Sequence, residues 1–230
     1  MAKAIVKKII RLGGIDLKRY NKALPLYETY FNKYKDFTMI PKELFISNLE
    51  LASRFLKVKG DIIECGVWRG GMVAGISELA GSKKRVHLFD SFEGLPPAQE
   101  IDGDAALKWQ KDTNSDNYYD NCTADESFTI EAMKKASNKN YRIYKGWFND
   151  TLDLYEGNPI SILRLDGDWY ESIKTCLDKL FPFVVEGGLI ILDDYHTWDG
   201  CTKAVHDYLS EIKSSSRICQ WNNQVAYIVK

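Results

Sequence analysis

Short apolar runs alternate with helical stretches from Gly60 to the end of the chain, and this alternation constrains the fold more than any other feature. The predicted strands cover residues 61–67, 85–90, 141–146, 160–166, 188–194, 217–221 and 225–230. The helices predicted between them cover residues 71–80, 124–137, 171–184 and 201–213. Runs such as ISILRL and GLIIL are apolar on both faces, which is typical of parallel strands covered by helices on each side. The pattern therefore predicts an α/β fold with a Rossmann-like, doubly wound sheet of about seven mostly parallel strands, ending in an antiparallel hairpin.

Two further segments complete the organisation of the chain. Residues 1–59 are predicted to form a helical N-terminal cap or lid, and residues 60–230 the main domain; the stretch ELFISNLELASRFLKV carries a broad apolar stripe. The first 40 residues are basic, which suits a solvated helix face packed on the domain, a membrane-surface helix or an electrostatic arm. Residues 92–122 show no strong periodicity and are predicted to be a long functional or mobile loop. The helix after them begins with Thr123 and Glu126 spaced as in a capping box.

Charge and cysteine content exclude several classes of function. The chain has 31 basic and 32 acidic residues, so it has no global field to attract nucleic acid. None of its five cysteines has the spacing of a zinc or redox pair. It contains no apolar run of about 18 residues and no signal-peptide core, so we expect no membrane span and a cytoplasmic protein with reduced thiols. A homo-oligomer formed through the N-terminal helices is a further expectation.

The ends of the first two strands suggest a site for a small cofactor, because ligands of open α/β sheets bind outside the carboxyl ends of the strands. The first strand runs into Glu64-Cys65-Gly66-Val67-Trp68-Arg69-Gly70-Gly71, whose glycines allow a tight turn close to a ligand. The loop lacks the G-x-G-x-x-G pattern of pyrophosphate-binding enzymes, and its acid suits an amino group or a ribose hydroxyl. Asp90 ends the second strand, where it either binds the ribose hydroxyls of a nicotinamide or S-adenosylmethionine cofactor or caps a turn.

Four aspartates end the fourth and fifth strands. Asp166 and Asp168 follow one apolar run, and Asp193 and Asp194 follow the next. Such a cluster of like charges needs a counter-charge, and oxygen ligands without nearby cysteine favour Mg²⁺ over Zn²⁺. The sequence therefore predicts a magnesium site.

Other residues carry weaker indications. Phe92 and Trp147 either stack on an adenine ring or pack at the rim of the site. His196 is a candidate base or acceptor contact, with a plain surface role as the alternative. Arg164 lies inside an apolar strand and must be paired if it is buried, for which Glu64 is the candidate partner.

Six ordered motifs resemble the macrocin O-methyltransferase family. They are TMI (38–40), GDIIECGVWRGG (60–71), FDSFEGLP (89–96), GWFNDTL (146–152), LRLDGDWYES (163–172) and GGLIILDDY (187–195). The resemblance covers roughly residues 36–205. It implies a class I methyltransferase fold and an enzyme that uses S-adenosylmethionine and Mg²⁺ to methylate sugar hydroxyls of natural products.

The resemblance also implies roles for particular residues. Asp166, Asp193 and Asp194 would bind the metal, and Asp168 would be the catalytic base, with His196 as the competing candidate. The residues expected at the methyl donor are Thr38, Met39, Glu64, Gly66, Val67, Trp68, Gly70, Asp90, Ser91, Phe92 and Trp147. The partner would be a glycosylated or polyol small molecule whose identity the sequence leaves open.

Three alternatives remain open from the sequence. A catechol-type O-methyltransferase would use the same metal chemistry on two adjacent phenolic oxygens. A nicotinamide-dependent oxidoreductase needs the glycine pattern that is absent here. A nucleotide-binding or scaffold protein without activity is disfavoured, because the acids of the family pattern are intact.

Overall fold

The computed structural model describes residues 23–230, and in it seven strands form one sheet. The strands are β1 (Asp61–Cys65), β2 (Val86–Asp90), β3 (Tyr141–Lys145), β4 (Ile160–Leu165), β5 (Val184–Leu192), β6 (Ile218–Trp221) and β7 (Val225–Val229). Their order is β3-β2-β1-β4-β5-β7-β6. The first five are parallel, and β7 pairs antiparallel with both β5 and β6. The predicted fold class, including the final hairpin, is confirmed.

Helices cover both faces of the sheet. They are α1 (Leu24–Tyr34), α2 (Lys42–Ser53), α3 (Gly71–Ala80), α4 (Gly103–Lys111), α5 (Glu126–Lys135), α6 (Phe148–Thr151), α7 (Tyr170–Leu180) and α8 (Asp199–Glu211). Neighbouring residues of β1 point to opposite faces, as strand geometry requires. Ile62 packs into the core under α1, α2, α3 and α5, whereas Ile63 packs into the core under α7 and α8. Burial on both faces explains why the central strands are continuously apolar.

The described part of the N-terminal cap is helical and packs on α3. Phe45 and Leu49 of α2 lie against Gly75 of α3 and are fully buried. Residues 1–22, which hold most of the basic stretch, lie outside the described residues, so the lid, the membrane-surface helix and the oligomer contact stay predictions. Within residues 23–230, no helix is both long and apolar enough to cross a membrane.

Three local predictions were wrong. The segment 92–122 contains the regular helix α4, a short 3₁₀ turn at Glu100–Asp102 and a turn with left-handed backbone angles at Tyr119–Cys122. The capping box at Thr123 does not form, because α5 begins at Glu126 and the carboxylate of Asp125 accepts the hydrogen bond from the Ser127 backbone N–H. Strand β5 begins four residues earlier than predicted, at Val184.

Candidate functional site

A cavity opens at the carboxyl ends of the parallel strands, where the strand order reverses between β1 and β4. This is the position at which open α/β sheets bind ligands. Including its open mouth, the cavity holds about 940 Å³ of empty space, within the range of small-molecule sites. Its walls come from the turns after β1, β2, β4 and β5, from residues 37–40, and from residues 94–96 and 122 of the long loop.

The structure brings most of the predicted site residues together at this cavity. It is lined by Thr38, Met39, Glu64, Gly66, Val67, Trp68, Asp90, Ser91, Trp147, Asp166, Asp168, Asp193 and Asp194. Gly70, Phe92 and His196 are not among the described residues that line it. Gly70 caps α3, and Phe92 is buried in the core on the α3 side of the sheet. His196 is exposed, and its Nε2 lies 3.2 Å from Nε2 of Gln220.

Glycines shape the turn after β1 because no side chain fits there. Gly66 has φ +84°, and a Cβ at this position would collide with the carbonyl oxygen of Asp166. At Gly71 a Cβ would lie 2.6 Å from the carbonyl oxygen of Phe37. These close approaches hold the turn against β4 on one side and against the segment ahead of α2 on the other.

Asp90 fixes the geometry of two turns. Its Oδ2 accepts hydrogen bonds from the backbone N–H groups of Val67 and Trp68 at 2.7 and 2.8 Å, and its Oδ1 accepts one from Phe92 at 2.7 Å. Burial raises the pKa of Asp90, and the three hydrogen bonds oppose that shift. A carboxylate has about four lone-pair positions, so about one remains for a ligand. In this conformation Asp90 therefore anchors both turns and keeps about one acceptor position for another partner.

Arg164 pairs with three acids in the floor of the cavity. The guanidinium is fully buried and lies 2.5 Å from Glu64 Oε1, 2.7 Å from Asp166 Oδ2 and 2.5 Å from Asp193 Oδ1. The pairing with Glu64 that the sequence suggested is confirmed. Burial raises the pKa of Glu64 to about 8 and that of Asp193 to about 6, although Arg164 opposes both shifts. One positive charge is thus shared among three carboxylates.

Asp166, Asp168 and Asp194 form a second group next to this one. One carboxylate oxygen of each lies within 4.8 Å of the others. The backbone N–H of Asp168 donates to Asp194 Oδ2 at 3.1 Å, and Trp198 Nε1 donates to Asp168 Oδ1 at 2.8 Å. Burial, followed by repulsion from neighbouring acids, raises the pKa of Asp168 to about 8 and also raises that of Asp194. A cation bound between these carboxylates would attract them and so offset their mutual repulsion.

The residues present fit a hard divalent cation. Six acidic side chains, and no lysine or arginine, occur among the described residues that line the cavity. Clustered carboxylate oxygens are the ligands that Mg²⁺ prefers. The closest cluster nevertheless contains Asp168, while Asp193, one of the expected ligands, directs Oδ1 to Arg164. The geometry thus brings Asp166, Asp168 and Asp194 close enough together to share a cation, with Asp193 turned to Arg164 beside them.

Sequence reasoning missed much of the apolar wall. Phe37, Ile40, Met72, Leu95, Pro96, Cys122 and Phe148 also line the cavity. Phe37 and Ile40 flank the predicted Thr38-Met39 pair and could have been found from that adjacency. Residues 95, 96 and 122 come from the segment without periodicity, where no local pattern indicates which side chains turn inward.

The chain is similar to proteins that are described as O-methyltransferases. Residues 36–230 match the family described as Macrocin-O-methyltransferase (TylF). The chain is 35% identical over 156 residues to an 8-demethyl-8-(2,3-dimethoxy-alpha-L-rhamnosyl)-tetracenomycin-C 4'-O-methyltransferase of Streptomyces olivaceus. It is 36% identical over 167 residues to a demethyldecarbamoylnovobiocin O-methyltransferase of Streptomyces niveus. Each match covers 66% of this chain and 58% of the relative, so the chain spans less than two thirds of the length of these relatives.

Solved structures agree with the sequence comparison. The O-methyltransferase NovP superposes with a TM-score of 0.69 at 27% identity, covering 88% of each chain. The calicheamicin methyltransferase CalS11 shares the fold, with a TM-score of 0.59 at 19% identity over 92% of this chain and 94% of that one. The family match covers the sheet, the cavity and every aspartate at its edge. The chain therefore belongs to the macrocin O-methyltransferase family.

Proposed function

We propose that the protein transfers a methyl group from S-adenosylmethionine to a hydroxyl group on the sugar of a natural product, with Mg²⁺ bound beside the acceptor. The observation that carries this proposal is the charge of the cavity: six acids line it, and one buried arginine neutralises part of them. S-adenosylmethionine brings a sulfonium and an ammonium group against a single carboxylate, and Mg²⁺ brings two more positive charges. Both ligands therefore suit the site, whereas a pyrophosphate of NAD would be repelled by it.

The methyl donor would lie against the turns after β1 and β2. Among the described residues, none donates a hydrogen bond to the buried Glu64 Oε2, which suits an ammonium or hydroxyl donor. The backbone of residues 66–68 would follow the donor closely, and Asp90 and Ser91 would face its ribose. Thr38, Met39 and Trp147 supply part of the remaining wall. Gly70 and Phe92 would act indirectly, through the shape of the turns.

Asp166, Asp193 and Asp194 would hold the metal. Asp193 uses Oδ1 for Arg164, so Oδ2 would be the oxygen that binds the ion. When bound, the ion would stabilise negative charge on the acceptor oxygen as a Lewis acid. The charge of the ion would offset the mutual repulsion of these buried aspartates. The free energy of metal binding would therefore be linked to the cost of burying the acids.

Asp168 would act as the general base. In the transfer, the acceptor oxygen would form a bond to the methyl carbon as the carbon–sulfur bond breaks, and the electron pair of that bond would stay on sulfur. The hydroxyl proton passes to the Asp168 carboxylate, which sits at the cavity just past the end of β4. His196 is less suited to this role, because its ring is exposed and faces Gln220.

The acceptor class rests on the relatives. Their names describe methylation of a rhamnosyl tetracenomycin C, of demethyldecarbamoylnovobiocin and of mycinamicin III. The acceptor of this chain would by the same chemistry be a glycosylated small molecule. The acids and the apolar wall of the cavity suit such a partner.

A product screen tests the proposal. The protein is incubated with S-adenosylmethionine, Mg²⁺ and a panel containing methyl α-L-rhamnoside, TDP-rhamnose, aryl glycosides and a catechol, and products are identified by mass spectrometry. We expect methylation of a sugar hydroxyl, lost with EDTA and restored by Mg²⁺. Methylation of the catechol alone would replace the sugar assignment with the catechol type. Full activity after EDTA, or calorimetric binding of NAD as tight as that of S-adenosylhomocysteine, would contradict the proposal.

Asp168→Asn tests the assignment of the base. A general base contributes roughly 10²–10⁴-fold to rate, so kcat should fall by about that factor. Calorimetry should show nearly unchanged binding of S-adenosylhomocysteine, since Asp168 is not assigned to the donor. His196→Gln serves as the matched control and should turn over normally. The reverse result would move the base to His196.

A further inference from the structure

Trp198 makes a contact with Asp168 that the sequence did not indicate. The two residues are 30 positions apart, and the indole Nε1 donates to Asp168 Oδ1 at 2.8 Å. Asp168 has a left-handed backbone with φ +56° and lies among other acids that repel its carboxylate. A charge-assisted hydrogen bond from a neutral donor holds such a carboxylate without removing its charge.

The indole is itself held in place from two directions. The backbone N–H of Trp198 donates to the carbonyl oxygen of Asp194 at 3.0 Å, which ties it to the end of β5. Its ring packs edge-to-face on Trp169 at 5.2 Å and on Trp109 at 5.9 Å between ring centroids. Trp169 is only 2% exposed and donates its own Nε1 to Pro96. A donor fixed by packing costs little conformational entropy when it bonds.

We infer that Trp198 is a positioning residue for methyl transfer: it holds Oδ1 of Asp168 so that Oδ2 faces the acceptor hydroxyl. This inference rests on the proposed function, in which Asp168 takes the proton. Because Oδ1 is fixed by the indole, rotation of the carboxylate toward Asp166 or Asp194 is restricted. Misplacing a catalytic group by about 1 Å is enough to cost a large factor in rate.

Trp109 provides a matched control. It belongs to the same aromatic cluster, and its Nε1 also donates to an oxygen, but that oxygen is the backbone carbonyl of Asn117. Replacing either tryptophan with phenylalanine removes one N–H donor and keeps an aromatic ring. Only Trp198→Phe removes a donor from Asp168.

The first measurement needs no acceptor. In ¹⁵N-labelled protein, the indole N–H resonance that disappears in Trp198→Phe belongs to Trp198. We expect Asp168→Asn to shift this resonance and to leave that of Trp109 in place. An unmoved Trp198 resonance would overturn the hydrogen bond and, with it, the inference.

The second measurement uses the glycoside that the product screen finds to be methylated best. Trp198→Phe should lower kcat by about tenfold or more, the worth of one charge-assisted hydrogen bond. The KM of the glycoside and the Kd of Mn²⁺, measured by calorimetry, should stay within about twofold. Trp109→Phe should keep the kcat of the unmodified protein.

A double-mutant cycle separates positioning from packing. In the Asp168→Asn background, Trp198→Phe should cause no further loss of kcat. An equal loss in both backgrounds, or equal slowing by Trp109→Phe, would show a packing role and overturn the inference. If the unmodified protein methylates no glycoside, the proposed function fails and the inference falls with it. If it does so and Trp198→Phe has normal kcat, only the inference fails.

Discussion

At the scale of single residues, polar side chains in this protein hold backbone turns as well as facing the cavity. Asp90 shows this most directly, because its carboxylate binds three backbone N–H groups from two different turns. The sequence indicated a cofactor contact or a turn cap at this position, and the contacts show that the capping role is present. Its consequences for stability and for ligand binding are therefore linked.

Asp90→Ala should lower both properties together. Three backbone donors would lose a charged acceptor, and buried donors without a partner cost about 1–3 kcal/mol each. Since water can reach some of them through the cavity, we expect a loss of about 3 kcal/mol in unfolding free energy, measured by urea denaturation. Calorimetry should show weaker binding of S-adenosylhomocysteine. Glu93→Ala, at a nearby exposed acid, is the control, and equal effects of both variants would contradict this role.

His87 adds a pH dependence at the other end of the sheet. The ring is fully buried, with Nδ1 3.0 Å from the Tyr144 hydroxyl and Nε2 3.0 Å from Asp61 Oδ2. Burial lowers the pKa of His87, although the Asp61 hydrogen bond opposes the shift. Below the unfolded pKa of about 6.5 the unfolded chain therefore binds more protons than the folded one, so stability falls with falling pH.

His87→Gln should reduce this acid sensitivity. Urea denaturation at about pH 7.5 and pH 5.5 should show a smaller loss of unfolding free energy in the variant than in the unmodified protein, because one proton-binding difference has gone. His206→Gln replaces an exposed histidine and should leave the loss unchanged. A variant as acid-sensitive as the unmodified protein would exclude His87 as a source.

At the scale of elements, the sequence predicts those whose burial follows a regular period. Strands β1 to β5 could be predicted from their apolar runs. The helix predicted over residues 71–80 agrees with the observed α3, Gly71–Ala80. Helix α4 was missed because non-local contacts position its segment. Gln110 bonds to Ala98 and Pro96, and Asp102 accepts from the backbone N–H of Tyr170. Contacts of this kind leave no periodic pattern of apolar residues within residues 92–122.

The same limit applies to the site. The acids at the strand ends could be predicted because topology alone brings parallel strand ends together. The direction of each side chain could not be, since Asp193 turns to Arg164 and Asp168 turns to Trp198 through packing between distant segments. Sequence thus predicts the composition of the cavity better than its contacts.

The junction between α2 and α3 gives a prediction at this scale. An alanine at Gly75 would place its Cβ 2.8 Å from Phe45 Cζ and 3.3 Å from Leu49 Cδ2, both fully buried. Helix propensity would favour alanine by about 1 kcal/mol, but overpacking of a core costs about 1–3 kcal/mol. We expect Gly75→Ala to lower the unfolding free energy by about 1 kcal/mol in urea denaturation.

A double-mutant cycle identifies the cause of that loss. Phe45→Leu alone should destabilise the protein, because it shrinks a buried side chain. In the Gly75→Ala background the same change should cost less, since it removes the atom that the new Cβ meets. Additive losses would show that the two positions do not interact.

At the scale of the whole molecule, a chain with a net charge of −1 concentrates negative charge at one point. The acids that line the cavity outnumber Arg164, and burial raises the pKa of several of them. Such an arrangement costs folding free energy when no cation is bound. Preorganised binding sites commonly lower the stability of the ligand-free protein in this way, and binding of the ligand restores the stability.

Asp194→Asn should therefore stabilise the metal-free protein while impairing the site. Asparagine is nearly isosteric with aspartate, and its Oδ1 can still accept from the Asp168 backbone N–H, as Asp194 Oδ2 does at 3.1 Å. It removes the buried carboxyl group of Asp194, whose pKa is raised by burial and by the charges of Asp168, Asp166 and Asp193. At about pH 8 in EDTA we expect a gain of about 1–3 kcal/mol in unfolding free energy, together with weaker Mn²⁺ binding by calorimetry. Asp116→Asn, at an exposed position, should change neither quantity. A metal-free Asp194→Asn protein no more stable than the unmodified one would mean that the acidic cluster carries no stored repulsion, and that the cavity does not depend on a cation to offset its charge.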